Sequence, residues 1–518
     1  YYKYIMQGDY RMNFKCVDKD LKVIASIYKY AIKETDESQK NRQYILKEIN
    51  LNNNNFNYCN LTEYKEKLYD FAFKIIESFE KESILFFAEF LREQYCYNQF
   101  DKRMLDHYMA ITEAGIYIQK IALKNNCSFR KKASFNRSRL CLLLETLFMY
   151  NLLDMKIKFS INNSYVCNFE SLFLPLAAEE INSYFEKYDL YFRVKKPEEW
   201  EVYNPQLRKH LQKKRLTPAT IYQDADHVLK EVLGFTYSDI DIVVSNIESK
   251  IYKFNISKKC LNGKHHVRIK KGELVNLFTN LVNKDNMESM LSYLSLNMCI
   301  KNNIDPSNRM LELRCIVEDG DVLSFGLCTI KECLLILKAI SLPGHYPNEI
   351  GITKNENELF CEFQQKLSQY FSYIVGDLFQ QNGFHIPLKK SGLINVDLKT
   401  IQLSNKKLTF KDIDVLALDV VNKKLYNCEL KYYKVKMDYH SMLTDALESK
   451  KYESFLKRQK ILEDNKEQIL NEIFGITNPE GYCVCPIVIT SRVNNNTKQV
   501  TEYSFEELKK KVLNKEVL

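Results

Sequence analysis

The stretch DIDVLALDVVNKKLYNCELK, residues 412–431, decides the fold. An apolar, strand-like run follows Asp414, and a second run rich in β-formers ends at Glu429-Leu430-Lys431. Asn422-Lys423-Lys424 lies between them, so two strands joined as a hairpin are predicted. Side chains two apart on a strand share a face. Asp412 and Asp414 therefore point one way, and Glu429 and Lys431 point together from the neighbouring strand. Two carboxylates and an ammonium converging on one sheet edge suit a hard divalent cation and a water to be activated, which are the needs of phosphodiester hydrolysis. The bland alternative is an ordinary hairpin with exposed cross-strand ion pairs. Glu429 weighs against it, because LYNCELK predicts a half-buried strand, and a buried carboxylate beside a lysine points to a working site.

Working outward, a long helix is predicted from about Asn357 to Gln381, closed by Asn382-Gly383. A strand begins at Phe384, and a polar, lysine-bearing segment runs to Lys411. Beyond the hairpin come a charged helical region over 438–474 and YCVCPIVITS (482–491), read as a last apolar strand. The predicted order is helix, strand, Asp strand, Glu-x-Lys strand, helix, strand.

That order, with Gly383-Phe384, Asp414-Val415-Leu416-Ala417 and Glu429-Leu430-Lys431, resembles the PD-(D/E)xK nuclease superfamily, the restriction-endonuclease-like fold. The nearest flavour is that of modified-DNA restriction endonucleases and archaeal Holliday-junction resolvases. The resemblance covers only the last third of the chain. It departs at Ile413, where the superfamily has Pro, and in the helix acid, for which Glu362 is the candidate and Glu358 and Asp377 are alternates.

The resemblance implies a metal-dependent endonuclease. Asp414, Glu429 and the backbone carbonyl of Leu430 would hold Mg²⁺ or Mn²⁺. Lys431 would orient the attacking water and stabilise the charge that develops on the phosphate. Tyr432, Tyr433, Lys434 and Lys436 would hold the nucleic-acid backbone. It further implies a DNA substrate and an effector role in prokaryotic restriction or anti-phage defence. Nothing in the residues separates DNA from RNA. A non-catalytic DNA- or protein-binding scaffold with a relic nuclease fold is the rival reading.

The chain has 518 residues with 45% hydrophobic content, enough for several domains with real cores. Its 14 Gly and 10 Pro are few for that length, which favours long helices. The expected division is a helical domain over 1–195, a mostly helical domain over 196–350 with a β-hairpin at 311–328 turning on Asp319-Gly320, and a nuclease-like α/β domain with a central mixed sheet over 351–518. The segment 185–207 reads as a connector, and TPATIYQDADHVLKEVLGF as a helix entered at Pro218 and left at Gly234.

A net charge of +9 does not by itself demand nucleic acid, but it is clustered. RKHLQKKR (208–215), Lys258–Lys271, and Lys457, Arg458 and Lys460 are the marked basic runs. His265-His266 reads as a surface strand or loop in the second of these. The 15 Cys form no spaced framework and fall mostly in apolar runs, which predicts reduced thiols and a cytoplasmic protein. Leu140–Met155 is interrupted by Glu145, Asn151 and Asp154, so no membrane span is expected. No P-loop motif appears, so any ATPase or sensor would come from a partner protein, with homo-oligomerisation as the other role for the helical part.

Overall fold

The computed structural model describes residues 36–51, 58–98, 105–123, 136–163, 202–258, 261–262, 266–296, 311, 313–342, 353–431, 453–491 and 500–518. The helices up to the first sheet are α1 (Asp36–Glu48), α2 (Tyr58–Glu77), α3 (Lys81–Asn98), α4 (Leu105–Ala122), α5 (Arg137–Asn163), α6 (Pro205–Lys213), α7 (Pro218–Leu233) and α8 (Tyr237–Lys258). Next come β1 (Leu261–Asn262), β2 (His266–Lys270), α9 (Lys271–Phe278), α10 (Lys284–Leu294), β3 (Val317–Asp319), β4 (Val322–Gly326) and α11 (Leu327–Ser341). The remainder is α12 (Lys354–Gln381), β5 (Thr400–Gln402), β6 (Lys407–Thr409), β7 (Val415–Asp419), β8 (Lys424–Lys431), α13 (Glu453–Asp464), α14 (Lys466–Phe474), β9 (Cys483–Thr490), β10 (Thr501–Ser504) and α15 (Phe505–Leu513).

Where three consecutive blocks were expected, the described residues gather into two compact units. The first takes the described residues within 1–175, 229–341 and 346–353, and the second those within 176–228, 342–345 and 354–518. The N-terminal part is helical and the C-terminal region carries a mixed sheet.

In the first unit, α2 to α5 bury an apolar core that includes Phe79, Phe87, Ile118 and Leu144. The expected hairpin at 311–328 is β3–β4, turning at Gly320 in the left-handed region (φ +62°), and it belongs to an antiparallel sheet of order β1-β2-β4-β3. The middle of α3 is buried and charged. Arg92 donates to Gln119 Oε1 (2.9 Å) and to the Arg314 carbonyl (2.6 Å). Glu93 accepts from the backbone N–H groups of Cys328 and Thr329 at the start of α11. Burial nevertheless pushes its carboxyl up to about 7. A Cβ on Gly326 would sit 2.0 Å from Glu93 Oε2, so this glycine is required by close approach. His266 is buried rather than on the surface. It lies 3.3 Å from Glu89 and packs edge-on against Phe86. His265 lies outside the described residues.

In the second unit the sheet order is β10-β9-β8-β7. β7 and β8 are antiparallel, whereas β9 runs parallel to both β8 and β10. The sheet is therefore mixed, as expected. The hairpin turn is held by Asp419, which accepts from Asn422 N–H and Nδ2–H, and Lys423 takes a positive φ of 53°. The long helix ends where predicted: Gly383 adopts φ +90° and Phe384 N–H returns to the Phe379 carbonyl. The chain then lines the open edge of β7. His385 exchanges both hydrogen bonds with Leu418, and Leu398 does the same with Ile413.

Alternation sorts the two faces of the sheet. Leu416, Leu418 and Leu425 pack with Leu462, Ile469 and Leu470 of α13 and α14. On the same face of β8, Asn427 donates to Gln459 Oε1 of α13. The sheet does not end at β9. β10 adds a further strand, and Ser504 with Glu507 forms a capping box that starts α15.

The stretch before α6 is not only a connector. Asn204 caps α6 by accepting from Gln206 and Leu207 N–H, and Pro205 occupies its first turn. Asp377 of α12 accepts from Tyr203 N–H (2.5 Å) and Asn204 N–H (3.3 Å), fixing this segment to the second unit. The helix predicted to enter at Pro218 and leave at Gly234 is α7, and Gly234 takes φ +83°. No described helix is long and apolar enough to cross a membrane.

Candidate functional site

Register brings the opening residues together. Val415 pairs with Cys428 and Leu416 with Asn427, so one more step sets Asp414 across from Glu429, where the ladder stops and Leu430 N–H turns to the Asp414 carboxylate. By alternation Asp414 lies on the face of Leu416 and Leu418, the face that carries Asn427, Glu429 and Lys431. The convergence read from sequence is thus built at the end of the β7–β8 ladder, where β7 begins and β8 ends.

Glu429 is held from two sides. Lys431 Nζ donates to Oε1 at 2.5 Å and an Arg458 guanidinium nitrogen donates to Oε2 at 2.5 Å. Only 13% of its side chain is exposed. Burial opposes its ionisation, but the Lys431 ammonium and the Arg458 guanidinium outweigh it and hold the carboxyl below its usual range. Asp414 has the opposite balance. Burial, joined by the Glu429 charge, pushes its carboxyl up to about 7, although Oδ2 accepts the Leu430 N–H at 2.6 Å. The two acids therefore divide their roles near neutral pH, one ionised and one poised to titrate.

Arg458 is the residue that sequence reading missed as a member of the site. In the sequence it is one cation of a basic run. In α13 it is buried, its guanidinium stacks over Phe455 at 5.1 Å, and it donates to the Asp412 backbone carbonyl as well as to Glu429. The Asp412 carboxylate lies 3.7 Å away and half-exposed. The available signal was its spacing: Phe455, Arg458, Gln459 and Leu462 form one helical stripe, all buried.

Asp397 was also missed. Its N–H donates to the Asp414 carbonyl (2.9 Å), and its Oδ1 accepts from Ser372 Oγ of α12 (2.7 Å). It takes φ +53°, and burial, with the Asp412 charge adding, pushes its carboxyl up to about 6. The helix thus reaches this edge through Ser372. Glu362 does not take that place: it is exposed, and it lies about 15 Å along the axis from Ser372 at 1.5 Å per residue. Glu358 is exposed too, and Asp377 is engaged with Tyr203 and Asn204. Tyr433, Lys434 and Lys436 lie outside the described residues.

The donor set can be tested against a hard cation. Among the described residues no three His, Cys, Asp or Glu side chains are gathered to hold a metal ion. Mg²⁺ needs only one or two carboxylates and keeps several waters. Asp414 and Glu429 supply two, placed directly across the ladder. The Lys423 and Lys431 carbonyls accept from Cys483 and Ser491 on the β9 side. Alternation then turns the polar groups of Leu430 toward Asp414, as its N–H confirms. The set fits a hard divalent cation in kind and number, and such a cation would compete with Arg458 and Lys431 for Glu429.

A scan of protein-family models, a search of curated proteins and a search of solved structures each return no match.

Proposed function

We propose that the chain is a metal-dependent phosphodiester hydrolase acting on DNA, with a second unit of the restriction-endonuclease-like kind. The observation that carries this reading is the cross-strand pair Asp414–Glu429, with Lys431 on Glu429 and Leu430 N–H on Asp414. The element order is in keeping with it: α12, the edge segment with the β5–β6 pair, β7, β8, α13 and α14, then β9, followed by β10 and α15. The extension to a restriction or anti-phage defence effector rests on the resemblance alone. In it the first unit would sense a trigger, dock an ATPase or sensor partner, or join copies of the chain.

Asp414, Glu429 and the Leu430 backbone carbonyl would hold Mg²⁺ or Mn²⁺. When bound, the cation supplies Lewis acidity to the phosphate and makes a water more acidic. A ligating carboxylate must be ionised, so holding the cation would favour the charged form of Asp414. Lys431, which holds one Glu429 oxygen, would orient the water and neutralise charge developing on the phosphate. Arg458 keeps Glu429 ionised and aimed, and its packing on Phe455 fixes that aim.

One observation favours a second reading, in which the same groups are a structural ion-pair cluster. Both Glu429 oxygens already have cationic partners. The experiment that separates the two incubates the full chain with plasmid, single-stranded DNA and RNA in Mg²⁺, Mn²⁺ or EDTA, beside Asp414→Ala and Lys431→Ala. The proposal expects metal-dependent cleavage that both variants lose. Cleavage surviving in both would remove the site assignment, and preferential RNA cleavage would change the substrate.

A further inference from the structure

The basic run 208–215 folds into the unit that carries the candidate site. α6 and its C-terminal cap expose Arg208, Lys209, Lys213 and Lys214. A short chain of contacts leads from them to the acids. The His210 ring meets the Tyr373 ring edge-on at 6.1 Å. Lys389 Nζ donates to the Tyr373 hydroxyl at 3.0 Å. Ser372, the next residue on α12, holds Asp397, whose N–H bonds the Asp414 carbonyl.

Lys214 and Lys389 lie close enough to Asp397 to act on its charge, and Lys213, Lys214 and Lys389 all act on His210. Among the described residues no carboxylate lies within ion-pair distance of Lys213 or Lys214, whereas Arg215 is tied to Asp224 at 3.4 Å. Lys213 and Lys214 follow His210 by three and four residues, on its side of α6, and Lys389 bonds the Tyr373 hydroxyl, so like charges flank the His210–Tyr373 pair and favour an anion laid across them. Arg208, Lys209, Lys213 and Lys214, exposed along α6 and its cap, suit a repeating anion rather than a single small one. Such cations contact phosphates and read no bases.

We infer that Lys213, Lys214 and Lys389 form a track for the DNA backbone, leading the duplex past His210 and Tyr373 to Asp414 and Glu429. The inference rests on the proposed reaction for its substrate but not for its test. Binding is measured without cleavage, by fluorescence anisotropy of a labelled duplex in EDTA across a salt series. Wild type is compared with Lys213→Ala/Lys214→Ala/Lys389→Ala and with a control carrying Lys407→Ala/Lys510→Ala/Lys515→Ala, exposed lysines on other elements of the same unit.

Three lost phosphate contacts should flatten the slope of log K against log salt by about 2.7 and weaken binding on the order of 100-fold near ~0.1 M salt. The control should keep the wild-type slope. An unchanged slope in the track variant, an equal loss in the control, or no duplex binding by wild type would overturn the inference. Tighter binding of single-stranded DNA or RNA through the same lysines would overturn its choice of partner. If the track variant loses binding while wild type takes up neither Mn²⁺ nor Mg²⁺, the track stands and the metal-dependent hydrolase reading falls. If cleavage is metal-dependent but binding ignores the three lysines, the reverse holds.

Discussion

Replacing Asp414 by Asn should stabilise the second unit at alkaline pH and leave it unchanged in acid. The Asp414 carboxyl is raised from 3.8 to about 7 by burial and by the Glu429 charge. A raised acid favours the fold in its neutral form. That contribution is complete below the unfolded value of 3.8 and is lost as pH rises to about 7. Three units at about 1.36 kcal/mol each set a ceiling of about 4 kcal/mol on the loss. Part of it belongs to the Asp414–Glu429 pair and is screened by solvent that reaches the half-buried side chain. Asn removes the charge and keeps an oxygen that can accept the Leu430 N–H. The expected gain over wild type is therefore about 1–3 kcal/mol above about pH 7 and near zero below about pH 4. Hydrogen exchange of the β7 and β8 amides in EDTA, followed from pH 5 to pH 8, reads this locally and avoids treating a two-unit chain as two-state. A destabilised Asn variant at pH 8, or a difference that does not change with pH, would refute the electrostatic account of the site.

Four other outcomes are expected. Arg458→Ala should cost about 2–4 kcal/mol, because Glu429 loses a buried partner while Lys431 remains; a double-mutant cycle with Glu429→Gln should show a coupling above about 0.5 kcal/mol, and additivity would count against the pair. Asp377→Ala should free the 202–213 segment, at a cost of about 1–3 kcal/mol from the stranded Tyr203 and Asn204 N–H groups, and limited proteolysis within α6 should speed up. Gly326→Ala should destabilise the first unit by about 1–3 kcal/mol or more through the clash with Glu93, measured as a lower melting temperature. Glu362→Ala should leave any cleavage rate within about twofold of wild type, since loss of a group that touches neither substrate nor site removes little transition-state stabilisation.

The legible parts of the second unit were those with strict local grammar. The β7–β8 hairpin followed from period-two alternation and a turn that only Asp419, Asn422 and a positive φ at Lys423 had to complete. The exit of α12 followed from Gly383, whose φ of +90° other residues resist. The same alternation placed Glu429 beside Lys431, and they touch. What sequence could not supply was long-range. Arg458 looks like any cation in a lysine-rich helix until tertiary packing buries it against Glu429. Asp397 sits in a polar segment without periodicity, and only its bond to Ser372 marks it. Glu362 has the right chemistry and lies on the right helix, but the helix turns it to solvent. β10 is four residues long with two of them only partly buried, too short for alternation to show, although the Ser504–Glu507 capping box after it was readable.

Cleavage can fail for want of a trigger or a partner, so cation binding tests the central claim more directly. Mn²⁺ titrated into the full chain and followed by electron paramagnetic resonance reports the free ion. Wild type should take up Mn²⁺, Mg²⁺ should displace it, and Asp414→Asn and Glu429→Gln should each weaken binding by more than about tenfold. Equal Mn²⁺ uptake by all three proteins, or none by wild type, would contradict the account and leave Asp414, Glu429, Lys431 and Arg458 as a structural ion-pair cluster.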